Sequence, residues 1–99
     1  MIVVRNAFVF DWDKGNLEKN LKYHNVSERE AEEAFFDGNK QEYPDAKHST
    51  KELRKIIVGK TKTGRMLFVV YTVRNKKIRR ISARDLNKRK EADLYEKAA

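Results

Sequence analysis

The chain has no cysteine, one proline and four glycines that stand singly. Without cysteine there is neither a disulfide framework nor a thiolate zinc site, which fits a reducing compartment, and the cytoplasm is the expected location. Isolated glycines form no loop that could cradle phosphates, so the common nucleotide-binding motifs are excluded. The two histidines, His24 and His48, sit in unlike settings without metal-ligand spacing, and neither a metal nor another cofactor is expected. His48 is followed by Ser49, but no acid is spaced to complete a hydrolytic triad. Long apolar runs are also missing. Arg5 and Asn6 interrupt the segment from Met1 to Phe10 and no small-residue cleavage site follows, so it reads as a strand rather than a signal peptide or membrane span.

What is present is charge, unevenly placed. Residues 1–50 carry 7 basic and 10 acidic side chains (net −3), and residues 51–99 carry 16 and 5 (net +11). Between Lys60 and Lys90 twelve residues are Lys or Arg and only Asp85 is acidic, yet β-branched and aromatic residues run through the same stretch. A basic surface built on folded strands points to a polyanionic partner. The alternative is a solvated cationic face that serves only solubility. At 99 residues the chain makes a single domain over residues 1–99, with one modest core.

Hydrophobic periodicity predicts the elements. Ile2 to Phe10 reads as a strand, and Asp13 caps a helix from Lys14 to Tyr23 in which Leu17, Leu21 and His24 recur at the spacing of a buried stripe. Asn25 can take the left-handed conformation that ends it, and Ser27 with Glu30 forms a capping box for a second helix whose inward face is Ala31, Ala34 and Phe35. The stretch from Asn39 to Lys51, with Pro44, reads as an exposed connection with a short edge strand at Gln41 to Tyr43. Three antiparallel strands follow, at Leu53 to Lys60, Met66 to Val73 and Lys77 to Arg84, and a final helix starts at Asp85 or Asn87. The expected fold is therefore α+β, a small antiparallel sheet with helices packed on it in the order β-α-α-β-β-β-α.

Strict alternation along the last strand would place Arg80, Ser82 and Arg84 on one face with Ile78, and Arg79, Ile81 and Ala83 on the other. A row of arginines suits phosphate, although charges on an edge strand also serve to prevent aggregation. A site rich in arginine and without metal suits RNA cleavage, because the substrate's own 2′-hydroxyl is the nucleophile and the protein supplies proton transfer and cations. Glu52, Lys22, His24 and Tyr71 are all candidates for the proton transfer. A basic module that binds RNA or DNA without cutting it is the alternative.

An ordered set of residues carries a resemblance. Phe10-x-Trp12-Asp13, Lys22-Tyr23-His24-Asn25-Val26-Ser27, Glu30-Ala31, Phe36-Asp37, His48-Ser49, Glu52-x-Arg54, Gly64-Arg65, Val69-Val70-Tyr71-Thr72-x-Arg74 and Arg79-x-Ile81-Ser82-Ala83-Arg84 together resemble the BrnT toxins of bacterial type II toxin–antitoxin systems. The resemblance implies a fold similar to RelE-type ribonucleases, an endoribonuclease that inhibits growth, and a ribbon-helix-helix antitoxin forming a 2:2 complex that binds its own promoter DNA. It implies that Arg65, Arg79 and Arg84 stabilise phosphate charge, that Glu52 or His24 moves a proton, and that Lys22, Arg54, Tyr71, Arg74, Arg80 and Ser82 bind RNA. Two positions depart from the family. Asn25 stands where glycine is usual, and Arg80 replaces an apolar residue, so that it either lies at a sheet edge or adds a phosphate contact.

Overall fold

Asn6 and Ala7 both take positive φ (47° and 70°) and fold the first apolar segment into a two-residue hairpin instead of one strand. Its arms are β1 (Ile2–Arg5) and β2 (Phe8–Asp11). Paired positive φ angles match the twist of the two strands they join, although an alanine there is unusual. The computed structural model describes residues 1–45 and 53–96, so Glu52, His48 and Ser49 lie outside the described residues. The hairpin is followed by α1 (Lys14–His24), α2 (Glu28–Phe36), β3 (Gln41–Pro44), β4 (Arg54–Lys60), β5 (Met66–Arg74), β6 (Lys77–Asp85) and α3 (Ala92–Glu96).

Among the described residues the sheet has six strands in the order β1-β2-β6-β5-β4-β3, larger than expected and mixed, since β2 runs parallel to β6 while the other pairs are antiparallel. The expected element order is corrected in two ways: the first strand is a hairpin, and the short segment at Gln41 pairs fully with β4 (Tyr43↔Ile56). The final helix also starts later. Asp85 still belongs to β6, and the Asn87 side chain accepts from the Arg89 and Lys90 amides, so Lys88, Arg89 and Lys90 stand on a turn before the five-residue α3. No helix among the described residues is long and apolar enough to cross a membrane.

The caps read from the sequence form as expected. Asp13 accepts from the Gly15 amide, Ser27 and Glu30 make a reciprocal capping box, and Asn25 ends α1 in the left-handed region at φ 51°. Helix α2 packs its Ala31, Ala34 and Phe35 face on β4 and β5. Gly59 permits that approach: a Cβ there would lie 2.3 Å from the Ala34 carbonyl oxygen. Phe10 and Tyr71 meet Phe35 edge-on, with ring centroids 5.2 Å and 5.1 Å away. Glu32 is fully buried on the same helix, where its carboxylate accepts from Arg5 Nε (2.6 Å) and Trp12 Nε1 (2.8 Å). These bonds satisfy a charge that would otherwise be costly inside.

The stripe expected on α1 holds at Leu17, which packs against the core, and is corrected beyond it. Leu21 is 57 % exposed, His24 is exposed, and the buried residue is Asn20. Strand β2 pairs with β6 at Phe10↔Ile78 and Asp11↔Arg79. Past that point α1 lies against β6, and Asn20 takes the place of a neighbouring strand: its Nδ2 donates to the Ile81 carbonyl (3.0 Å) and its Oδ1 accepts from the Ala83 amide (3.1 Å).

The facing of β6 also differs from strict alternation. The register with β5 runs from Val70↔Ser82 to Thr72↔Arg79, so β6 spends one more residue than its partner across this interval. Arg80 sits in that interval at φ 51°, which makes it a bulge residue. Ile78 therefore joins Ile81 and Ala83 in the core, while Arg79 moves to the side of Ser82 and Arg84. Arg80 is exposed on this bulge, one residue past the last pair of β6 with β2 at Asp11↔Arg79.

Candidate nucleic-acid interface

Helices α1 and α2 cover one face of the sheet, and the short α3 covers only part of the other. Tyr43 donates its hydroxyl to the Leu94 carbonyl, and Tyr95 donates to Asp37 Oδ2 at 2.6 Å. Burial alone would raise the Asp37 carboxyl, but bonds from Tyr95 and from the Asn39 and Lys60 amides outweigh it and hold it below the usual range. Among the described residues the remainder of this face is open.

Two adjoining hollows occupy it. One, of about 550 Å³, is lined by Asp11, Trp12, Asp13, Asn16, Lys19, Arg54, Arg79, Arg80 and Ser82. The other, of about 380 Å³, is lined by Asp45, Arg54, Ile56, Phe68, Val70, Ser82 and Arg84. Arg54 and Ser82 belong to both, so the hollows form one groove from α1 across β6 and β5 to β4. Its walls carry five cations, with an apolar floor of Ile56, Phe68 and Val70 at one end. Cations beside apolar and aromatic surface are what a single nucleic-acid strand requires.

The arginines in this groove are held differently. Arg79 Nε lies 3.3 Å from Asp11, with both side chains about a third exposed. Arg84 lies over the Phe68 ring, 4.1 Å from its centroid, and its two terminal nitrogens donate to Glu91 at 2.8 Å and 2.7 Å. The Arg84 hydrogen bonds hold the Glu91 carboxyl below the usual range.

Arg65 stands elsewhere. Its Nε and Nη2 donate to Asp85 (2.6 Å and 3.2 Å), Nη1 to the Asn25 carbonyl (2.7 Å) and Glu30 (3.1 Å), and Nη2 to the His24 carbonyl (2.9 Å). All three nitrogens are engaged in tying the end of α1, the start of α2 and the end of β6 together. Its Asp85 hydrogen bonds raise the Arg65 pKa further above an already high value. Asp85 is lowered, chiefly by the Arg65 hydrogen bond, and Glu30 is lowered because bonds from Ser27 and Arg65 outweigh its burial. Carboxylates with depressed pKa contribute stability above their ordinary values of 3.8 and 4.5, and that contribution is lost as pH falls through the depressed folded values. The urea midpoint of the protein should therefore fall between about pH 5 and pH 3, and Arg65→Ala should flatten this acid limb as well as lower the midpoint at neutral pH. An acid limb of unchanged steepness in the variant would show that the staple is not its source.

The other sequence candidates are dispersed. Tyr71 is buried on the helix face against Phe35, its hydroxyl pushed up to about 12 by burial and the nearby Glu42. Lys22, His24 and Arg74 are exposed and line neither hollow; the Lys22 ammonium sits over the Tyr23 ring. The groove thus gathers Arg54, Arg79, Arg80, Ser82 and Arg84. It adds Asn16, Lys19 and Phe68, with Glu91 holding Arg84. The three-residue spacing of Asn16 and Lys19 on α1 was a readable signal for a shared face, whereas nothing in the sequence marked Glu91. Among the described residues no group of three or more His, Asp or Glu could hold a metal ion.

A family model described as the ribonuclease toxin BrnT of type II toxin–antitoxin systems matches residues 12–90. The chain belongs to this family. No curated protein matches it. As a BrnT-family chain it is a ribonuclease toxin of a type II system, with RNA as substrate and an antitoxin as partner. The matched segment contains every groove cation, while β1, β2, Glu91 and α3 lie outside it.

Proposed function

We propose that the groove binds RNA and cuts it without a metal ion, as an endoribonuclease that stops translation and growth. The observation that carries this reading is the meeting of Arg54, Arg79 and Arg80 at one open groove, brought about by the Arg80 bulge. In the proposed reaction the substrate's 2′-hydroxyl attacks the adjacent phosphorus and the 5′-oxygen leaves, giving a 2′,3′-cyclic phosphate and a 5′-hydroxyl. Arg79, aided by Arg54 and Arg80, balances the charge that develops on the phosphate oxygens. Glu52, two residues before Arg54 in sequence, takes the 2′-hydroxyl proton, and solvent water supplies the proton that the departing 5′-oxygen gains. Arg65, His24 and Tyr71 play no part in the chemistry: the first is spent on the fold, the second stands beside it, and the third is buried on the helix face.

A largely antiparallel sheet with α1 and α2 packed on one face supports the RelE-like comparison. The net charge of +8 supports capture by an acidic segment of the antitoxin, taken to be a ribbon-helix-helix protein in a 2:2 complex that binds promoter DNA. The cytoplasm is the proposed site of action.

Incubating the purified protein with RNA in EDTA tests the chemistry. The reading predicts fragments ending in 2′,3′-cyclic phosphate. Salt-sensitive binding without fragments would instead mark a non-catalytic RNA- or DNA-binding module.

A further inference from the structure

Arg84 is poorly arranged to grip a phosphate. Phosphate recognition by arginine uses the fork of terminal N–H groups in its own plane. In this protein both terminal nitrogens already donate to the Glu91 carboxylate, at 2.8 Å and 2.7 Å, and Nη1 also reaches the Asp85 carbonyl at 3.1 Å. Glu91 is itself fixed, since it accepts from the Asn87 amide at 2.8 Å and its side chain is only 17 % exposed. The guanidinium carbon also lies over the Phe68 ring, 4.1 Å from its centroid, so that ring covers one side of the group. Yet the Arg84 side chain remains 38 % exposed. Glu91 and Phe68 thus take an edge and one side of the guanidinium, which leaves its other side for the apolar end of the groove, where Arg84 lines the hollow with Ile56 and Val70.

A flat, delocalised cation presented by its face stacks on a π system, and unpaired RNA bases stack on arginine planes as they do on aromatic rings. We infer that Arg84 is a stacking platform for a nucleobase, its plane set from below by Phe68 and from the side by Glu91. The base fills the 380 Å³ hollow, and the phosphates run past Arg79 and Arg54 in the larger one. Glu91 is then a positioning residue. It neutralises the charge of Arg84 and leaves its surface available, which separates holding a base from attracting the backbone.

This inference rests on RNA lying in the groove, and the test separates the two. Binding of a fully 2′-O-methylated oligonucleotide, which cannot be cut through its 2′ position, is measured from low to high salt. A side chain that contacts a phosphate contributes about 0.7 to the slope of log affinity against log salt for a single strand, and a stacking contact contributes none. Arg79→Ala should lower the slope by about 0.7. Replacing Arg84 and Glu91 together by alanine keeps the local net charge, and should weaken binding about 5- to 100-fold with the slope unchanged. Arg84→Lys keeps the charge and the bond to Glu91 without the plane, and should weaken binding as much. A drop in slope in the double variant, full affinity in Arg84→Lys, or unchanged affinity in both would overturn the stacking role. Loss of slope in Arg79→Ala alone would still uphold the groove. If the native protein does not bind, or Arg79→Ala binds with an unchanged slope, the groove reading fails and the platform with it. Thermal melts of each variant confirm that the folded protein is being titrated.

Discussion

Replacing Arg79 by alanine should lower the single-turnover rate of RNA cleavage by about 10²–10³-fold, the effect of removing one preorganised charge from a transition state. The folded state should hardly notice. The Arg79 side chain is about a third exposed and its partner Asp11 lies 3.3 Å away in an equally exposed position, a pair of the kind that contributes at most about 1 kcal/mol. Arg79→Lys should recover only part of the rate, because an ammonium supplies charge without the planar fork. Arg65 makes the contrasting case. Its substitution should destabilise the protein, and any fall in activity should follow the fraction folded. A rate for folded Arg79→Ala close to that of the native protein would remove Arg79 from the chemistry.

Asn20→Ala should have the largest effect on stability. The side chain is 4 % exposed and supplies both a donor to the Ile81 carbonyl and an acceptor for the Ala83 amide. Its loss leaves two buried backbone groups without partners, each costing about 1–3 kcal/mol, and opens a small cavity. A total of about 3–5 kcal/mol is expected, which for a domain of this size lowers the melting temperature by more than about 10 °C. Asn20→Asp tests the geometry, because a carboxylate still accepts from Ala83 but cannot donate to Ile81. It should fall well short of the native melting temperature. Calorimetry that places either variant within about 2 °C of the native protein would show that α1 is held to β6 by other means.

Those two residues also show what could be read from the sequence. The capping box at Ser27, the cap at Asp13, the inward face of α2 and the strands β4, β5 and β6 follow from local rules, because caps and periodicity are local physics. The hairpin did not, since no local preference marks an alanine for φ 70° at Ala7. The structural role of Asn20 could not be read because a buried asparagine breaks the apolar stripe, and its partners are more than sixty residues away in sequence. The placement of Arg79 required the bulge. One extra residue reverses every side chain beyond it, and the only hint was Arg80 at a position where the resemblance to the family led to an apolar residue being expected. Arg65 was drawn into the candidate site by the resemblance, and only the fold shows its charge occupied by Asp85, Glu30 and two carbonyls.

The groove itself is most directly tested by nuclear magnetic resonance of the arginine side chains. Titration with a fully 2′-O-methylated RNA oligonucleotide should shift the Nε–H signals of Arg54, Arg79 and Arg84 together with the Ser82 amide, and leave Arg65 in place. Shifts confined to Arg74, Lys76 and Lys77, or to Lys88, Arg89 and Lys90, with the groove silent, would contradict the account.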